Sequence, residues 1–328
     1  MSFFAIVFAL LLEQVRPLSN VNPVHALLRA WTRWVRRNFD TGRAHHGGFA
    51  WTMAVMLPSL IALGLHWILI SFVGWPLAAV WSVVVLYFTL GFRQFSHHFT
   101  DIRDALELGD EEGARQLLAQ WQQVDASDLP KREIVRHVIE YSVLAAHRHV
   151  FGVLCWFSLL AALGLGPMGA VMYRLSEFVA RYWSYKSATQ QQPVSQALLS
   201  VANRTWWFID WLPSRITALG FAVVGSFEDA IDAWRSQAQR DAQDNDGIIL
   251  AATAGAINVR LGGEVLKPVF GPGATPGLQD GMIDSGSEST PGREPELAHL
   301  RSVVGLVWRS VVMWLVLLAL LTLARLLG

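Results

Sequence analysis

The sequence predicts an all-α, polytopic helical membrane protein with cytoplasmic helical segments. Three observations predict it. Several apolar runs approach or exceed the roughly 20 residues that a bilayer-crossing helix needs. Of 328 residues, 53% are hydrophobic, 15 are Trp and only 16% are charged, where average soluble chains carry about 25% charge. The polar stretch 93–149 repeats its apolar residues at helical spacing and carries no strand signal.

Residues 1–48 open with FFAIVFALLLE, ending at Glu13. This run lacks a basic leader and an A-x-A site, so it is expected to be a retained helix, not a cleaved signal. The following ALLRAWTRWVRR sets Leu, Trp and Val on one face and arginines on another. That pattern suits a helix at an anionic membrane surface; the alternative is a solvated helix packed on a cytoplasmic domain. Residues 49–92 read as a transmembrane hairpin, with runs 49–73 and 75–92 turning at Gly74. Arg29, Arg33, Arg36, Arg37 and Arg43 precede it, and Arg93, Arg103, Arg115, Lys131, Arg132 and Arg136 follow it. The positive-inside rule then puts both flanks in the cytoplasm, and Arg301 and Arg309 do the same for the start of the last span. A multi-pass protein of the bacterial inner membrane is the expectation.

Residues 93–149 form a cytoplasmic helical segment, with Gly109 as a stop between two periodic stretches. Residues 150–263 hold membrane and interfacial helices. Run 150–165 ends in GPMG, and Pro167 opens a stretch whose Arg174, Glu177, Arg181 and Lys186 suit a buried, re-entrant or interfacial helix. Run 206–224 contains Asp210, Pro213 and Arg215, and 226–243 reads as an amphipathic helix with Ser226 as N-cap. Residues 264–299, rich in Gly, Pro, Ser and acids, read as a disordered linker. Residues 300–328 close the chain as a transmembrane helix.

Composition also excludes functions. Basic and acidic residues balance at 26 each, which leaves no nucleic-acid footprint. One cysteine, Cys155, excludes an intrachain disulfide and a CxxC-type zinc site. No G-x-x-x-x-G-K-[ST], G-x-S-x-G or H-E-x-x-H occurs. His97 and His98 with Asp101, and His147 with His149, match no closed metal site, so no metal site is expected. Arg215 is the one feature suggesting a transporter, and no inverted repeat accompanies it.

The candidate acids are Glu13, Glu140, Glu177, Asp210, Asp244 and Asp246. Intramembrane charges usually face a protein interior or a polar cavity, so Arg215 reads as a phosphate or propionate contact, or as a pair with Asp210; a snorkelling arginine is the alternative. Asp244 and Asp246 flank Asn245 just before Gly247, a turn able to offer oxygen ligands or backbone N–H groups to a phosphate. An Asx-turn without function looks the same. In NDGIILAATAGAINVRLGG, Arg260 sits among small residues, and Gly255, Gly262 and Gly263 allow close backbone approach or tight helix packing.

That last stretch resembles the C-terminal signature of the CobD/CbiB family of membrane proteins in cobalamin biosynthesis, an N-x-G followed by an A-x-A-G-A-like run and V-R-L-G-G. WLPSRITAL is similar to the family's I-P-A-R-L-T-A-L, and WSYK (183–186) resembles its I-G-Y-K. The resemblance covers the chain from its first residues to about Gly263. It implies a polytopic helical protein that attaches an aminopropanol arm to adenosylcobyric acid, with ATP and Mg²⁺ as cofactors if that synthase activity is retained. It also implies an adenosylated corrinoid and the lipid bilayer as partners, with a homo-oligomer or a membrane partner protein left open. Candidate ligand-binding residues are Asn245, Asp246, Gly247, Arg260, Gly262, Gly263, Arg215 and Asp210. Three departures stand out. LAAHRHV (144–150) stands where the family has E-N-L-S-D-G, Thr205, Trp206 and Trp207 replace L-D-D, and Ala180 replaces an aspartate. The chain is also similar to AmpE, a membrane modulator of β-lactamase induction, in Glu13, Arg148 and the D-W-x-P-x-R run at 210–215. The alternative reading is therefore a non-catalytic, AmpE-like signalling modulator.

Overall fold

A computed structural model describes residues 2–15, 23–42, 44–189, 194–263, 266 and 289–327. Among them the regular elements are all helical: α1 (Ser2–Val15), α2 (Pro23–Phe39), α3 (Ala44–Phe72), α4 (Trp75–Thr89), α5 (Phe92–Glu107), α6 (Glu111–Gln122), α7 (Lys131–Ala146), α8 (Gly152–Ala162), α9 (Met168–Thr189), α10 (Gln196–Val224), α11 (Phe227–Arg240), α12 (Asn245–Ile257) and α13 (Leu297–Leu327). A π-helical turn, His147–Phe151, joins α7 to α8. The chain divides into unit 1, Met1–Gln94 with Gly152–Asp210, and unit 2, Phe95–Phe151 with Trp211–Gly328.

Among the described residues, three helices are long and apolar enough to cross a membrane: His46–Phe72, Lys131–Ala162 and Leu297–Ala324. The first and third are mostly uncovered, with 22% and 28% of their most apolar stretch buried, against 78% for Lys131–Ala162. The first and third thus present the apolar surface a bilayer requires, while the middle one faces protein. It also runs unbroken through the expected boundary between a cytoplasmic helix and the apolar run 150–165. No residue there breaks a helix, and the extra residue of the π turn is absorbed without a break.

In unit 1, α3 packs on α4, α2 and α9, and α1 packs on α4 and α8. The α3–α4 turn needs Gly74, whose φ of 105° is open to glycine but strained for other residues. Trp81 Nε1 ties the arms together by donating to the Ala62 carbonyl at 3.1 Å. Leu90 is extended and ends α4 after 15 residues, roughly 22 Å at 1.5 Å per residue and short of a bilayer core of about 30 Å. In α10, Pro213 has no N–H to offer the Ile209 carbonyl four residues back. Trp156 Nε1 supplies the missing donor at 3.0 Å, so the helix continues.

In unit 2, α11 packs along α12, while α7 meets α6, α12 and α13. Asp110 caps α6 by accepting from Gly113 N at 2.8 Å. Ser226 is the N-cap position of α11, but its hydroxyl bonds Asp229 at 2.6 Å instead of a backbone N–H. Gly255 is where α11 and α12 meet most closely, since a Cβ there would collide with the Asp229 backbone. Arg43 and most of 264–299 lie outside the described residues. Within 289–299, Arg293 O accepts from Arg260 N at 2.7 Å and Thr290 N donates to Leu261 O at 2.7 Å.

Candidate functional site

The signature segment folds as a capped helix followed by a bound extended tail. Asp244 caps α12 by accepting from Gly247 N at 2.8 Å, and a Cβ on Gly247 would collide with that carboxylate. The expected N-D-G turn is therefore a helix start closed by its own aspartate. Asn258 leaves α12 in the left-handed conformation at φ 52°, a position that asparagine tolerates. Arg260 and Leu261 then pair with Arg293 and Thr290, and Gly262 turns away at φ 81°.

Three arginines converge on this segment within unit 2. Arg215 Nη1 donates to Asn245 Oδ1 and to Ser214 Oγ at 2.9 Å, and Nη2 donates to the Ala242 carbonyl at 3.1 Å. Its guanidinium also lies 4.6 Å from the Trp211 ring centroid. Arg148, in the π turn and 1% exposed, reaches Asp246 Oδ2 at 2.5 Å. Arg136 Nη1 donates to the Gly262 carbonyl at 2.9 Å and to Glu140 Oε1 at 3.1 Å, with Glu133 at 2.8 Å from the same guanidinium. Glu140, fully buried, accepts from Gly262 N at 2.6 Å. Arg136 and Glu140 thus hold Gly262 by its carbonyl and its N–H, the facing groups of two successive peptide units. Next to Arg148, His147 Nδ1 lies 2.9 Å from Thr217 Oγ1.

The energetics of such a cluster are set by desolvation. A buried charge is tolerated only when paired and hydrogen-bonded. Each charge here meets that condition through groups of the same chain. The residues the sequence singled out divide accordingly. Asn245, Asp246, Gly247 and Arg215 group at the start of α12, whereas Gly262 and Gly263 (φ 116°) meet the Arg136 guanidinium past its other end, roughly 19 Å along the 13-residue helix. Arg260 is exposed, its backbone N–H spent on Arg293. Asp210 belongs to unit 1, where it is buried and accepts from Tyr173 Oη at 2.7 Å. Tyr173 fits there because Gly152 has no Cβ to exclude its ring.

Sequence reasoning left Arg136 as a topology signal, Arg148 as a departure and Glu140 as one acid among six. The Arg136–Glu140 spacing of i,i+4 on a helix was the available clue. Among the described residues no three His, Cys, Asp or Glu side chains are grouped to hold a metal ion.

The geometry can be set beside known proteins. The family model described as CobD/Cbib protein matches residues 3–271. The chain is 29% identical to the cobalamin biosynthesis protein CobD of Stutzerimonas stutzeri, over 96% of each chain. It is 32% identical to that of Chromobacterium violaceum over 60% of this chain and 62% of the relative. For the Photorhabdus laumondii protein of the same name the identity is 30%, over 70% and 71%. No solved structure matches it. A match reaching from α1 past the signature, together with helices apolar enough to span a bilayer, makes this a membrane protein that belongs to the CobD/Cbib family.

Proposed function

We propose that the chain serves cobalamin biosynthesis as a multi-pass protein of the bacterial inner membrane, binding an adenosylated corrinoid without itself driving ATP-dependent attachment of the aminopropanol arm. Its relatives' names supply the pathway. One observation carries the rest: Asp246 and Glu140, the acids at the signature, are each engaged by an arginine of this chain. Mg²⁺ bound for phosphoryl chemistry draws on one or two carboxylates plus the substrate phosphates. A guanidinium on each of these carboxylates opposes a second cation there. These two carboxylates therefore do not fit the Mg²⁺ that the resemblance implies. A corrinoid, by contrast, offers a carboxylate suited to the exposed Arg260.

Binding of adenosylcobyric acid to the detergent-purified chain, followed by its visible absorbance, tests the reading. Micromolar binding without product, when ATP, Mg²⁺ and aminopropanol phosphate are added, is the expected result. Amide product formed in amounts that scale with enzyme would overturn the non-catalytic part, and no corrinoid binding would overturn the whole. The Arg148–Asp246 pair also favours a second reading, a non-catalytic AmpE-like modulator. Its test is β-lactamase induction in a deletion strain, and unchanged induction removes it.

A further inference from the structure

Helix α2 carries three stripes. Leu28, Thr32 and Val35 turn inward, the last two fully buried. Leu27, Trp31 and Trp34 follow at i, i+4 and i+7; Leu27 is 69% exposed and Trp34 49%, and the two indoles stack at 5.3 Å. Arg29, Arg33 and Arg36 follow the same spacing on a third face, with Arg37 beside them. The helix has no acidic residue. From α9, Lys186 joins this group. Partial burial and the nearness of Arg33 and Arg36 push its ammonium below the ordinary lysine value.

Five cations therefore gather with no ion pair among the described residues, although elsewhere in the molecule arginines such as Arg174 and Arg181 share Glu177. Arg36 Nε is a buried donor with no acceptor there. Like charges repel, so this grouping is unfavourable unless an anion joins it. The location says which anion. Phe39, the last residue of α2, meets Phe49 at 5.2 Å between ring centroids, and Phe49 lies in the first turn of the candidate span His46–Phe72. The end of α2 that carries Arg36 and Arg37 thus lies at the level where that span meets the headgroups, and the exposed Leu27 and Trp34 suit the same boundary.

We propose that Arg29, Arg33, Arg36, Arg37 and Lys186 form a binding site for the phosphate of an anionic phospholipid of the surrounding bilayer. Leu27 and Trp34 rest among the acyl chains. The proposal is independent of the corrinoid reading.

Native mass spectrometry of the full chain in neutral detergent, titrated with phosphatidylglycerol, phosphatidylcholine or inorganic phosphate, tests it. Phosphatidylglycerol is expected to be retained at least about tenfold more tightly than phosphatidylcholine, and inorganic phosphate not to displace it at matched concentration. R33Q/R36Q is expected to weaken phosphatidylglycerol retention roughly 30-fold, near the effect of removing two surface-adjacent charges, while R33K/R36K keeps most of it. The exposed Arg37→Gln variant gives a milder reading, about fivefold, should the double variant fold poorly. Equal retention of the two lipids, unchanged retention in R37Q, or displacement by inorganic phosphate would each overturn the proposal, the last by pointing to a soluble phosphate.

Discussion

Replacing Glu140 by Gln tests whether the buried ion pair fixes the end of the signature. Glu140 is fully buried, accepts from Gly262 N at 2.6 Å and faces Arg136 Nη1 at 3.1 Å. In E140Q the amide oxygen still accepts from Gly262, but the amide NH₂ meets a guanidinium, two donors with no acceptor between them. Breaking one partner of a buried pair costs about 3–5 kcal/mol. Glu133, at 2.8 Å, still compensates part of the Arg136 charge, so we expect about 3 kcal/mol for E140Q. Removing the other partner in R136M leaves Glu140 charged and buried and costs a similar amount, about 3–4 kcal/mol. In R136M/E140Q neither charge is buried and the Gly262 N–H keeps its acceptor; the residual loss is the bond to the Gly262 carbonyl, about 1–2 kcal/mol. The double variant is thus more stable than either single one, with a coupling of roughly 4–6 kcal/mol. Equilibrium unfolding in mild detergent, followed by Trp fluorescence, measures all four corners of the cycle. Additive effects, or E140Q within about 0.5 kcal/mol of the native chain, would refute the reasoning.

Three further outcomes follow from the packing. Gly255→Leu forces α11 and α12 apart at the Asp229 backbone, and a loss of about 2–3 kcal/mol in the same assay is expected, as for an overpacked core. Asp244→Ala removes the α12 cap and is expected to cost about 1 kcal/mol, with Asp244→Asn retaining most of that stability. Cys155 is buried, so maleimide labelling in native membranes is expected to be slow and to become complete only after unfolding in SDS; rapid labelling in the native state would contradict the packing of α8.

The fold class was legible because it rests on one scalar, the length of apolar runs, which the bilayer fixes. The boundaries inside those runs were less legible. Lys131–Ala162 changes from charged to apolar with no proline, and its one glycine, Gly152, sits inside the helix without ending it, so periodicity gave no sign that one helix carries both halves. The end of α4 at Thr89 depends on the extended backbone of Leu90, a residue with no strong preference of its own. At the site, the glycines and the N-D-G were visible as local features, whereas their partners were not. Arg148 lies 98 residues from Asp246, and Arg136 lies 126 from Gly262. A single sequence offers no signal for pairs at such separations.

The contrast between the two groups of arginines bears on what each does. Arg136, Arg148 and Arg215 are all committed to groups of their own chain. Their charge is largely neutralised, so they fix the signature more than they attract a ligand. Arg29, Arg33, Arg36 and Arg37 have no acidic partner among the described residues, and three of the four follow one helical face. A buried cation is stable only when compensated inside the protein, whereas a cation at a membrane surface is stabilised by what lies outside. The same residue type therefore serves two purposes, and the presence or absence of an internal carboxylate separates them. Arg260 is exposed, and no ion pair of its guanidinium is seen among the described residues. Under the proposed corrinoid binding, Arg260, the signature's own cation, is the group that would meet the ligand's carboxylate. Arg260→Ala should accordingly weaken corrinoid binding while leaving unfolding unchanged, whereas Arg136→Met should shift unfolding first.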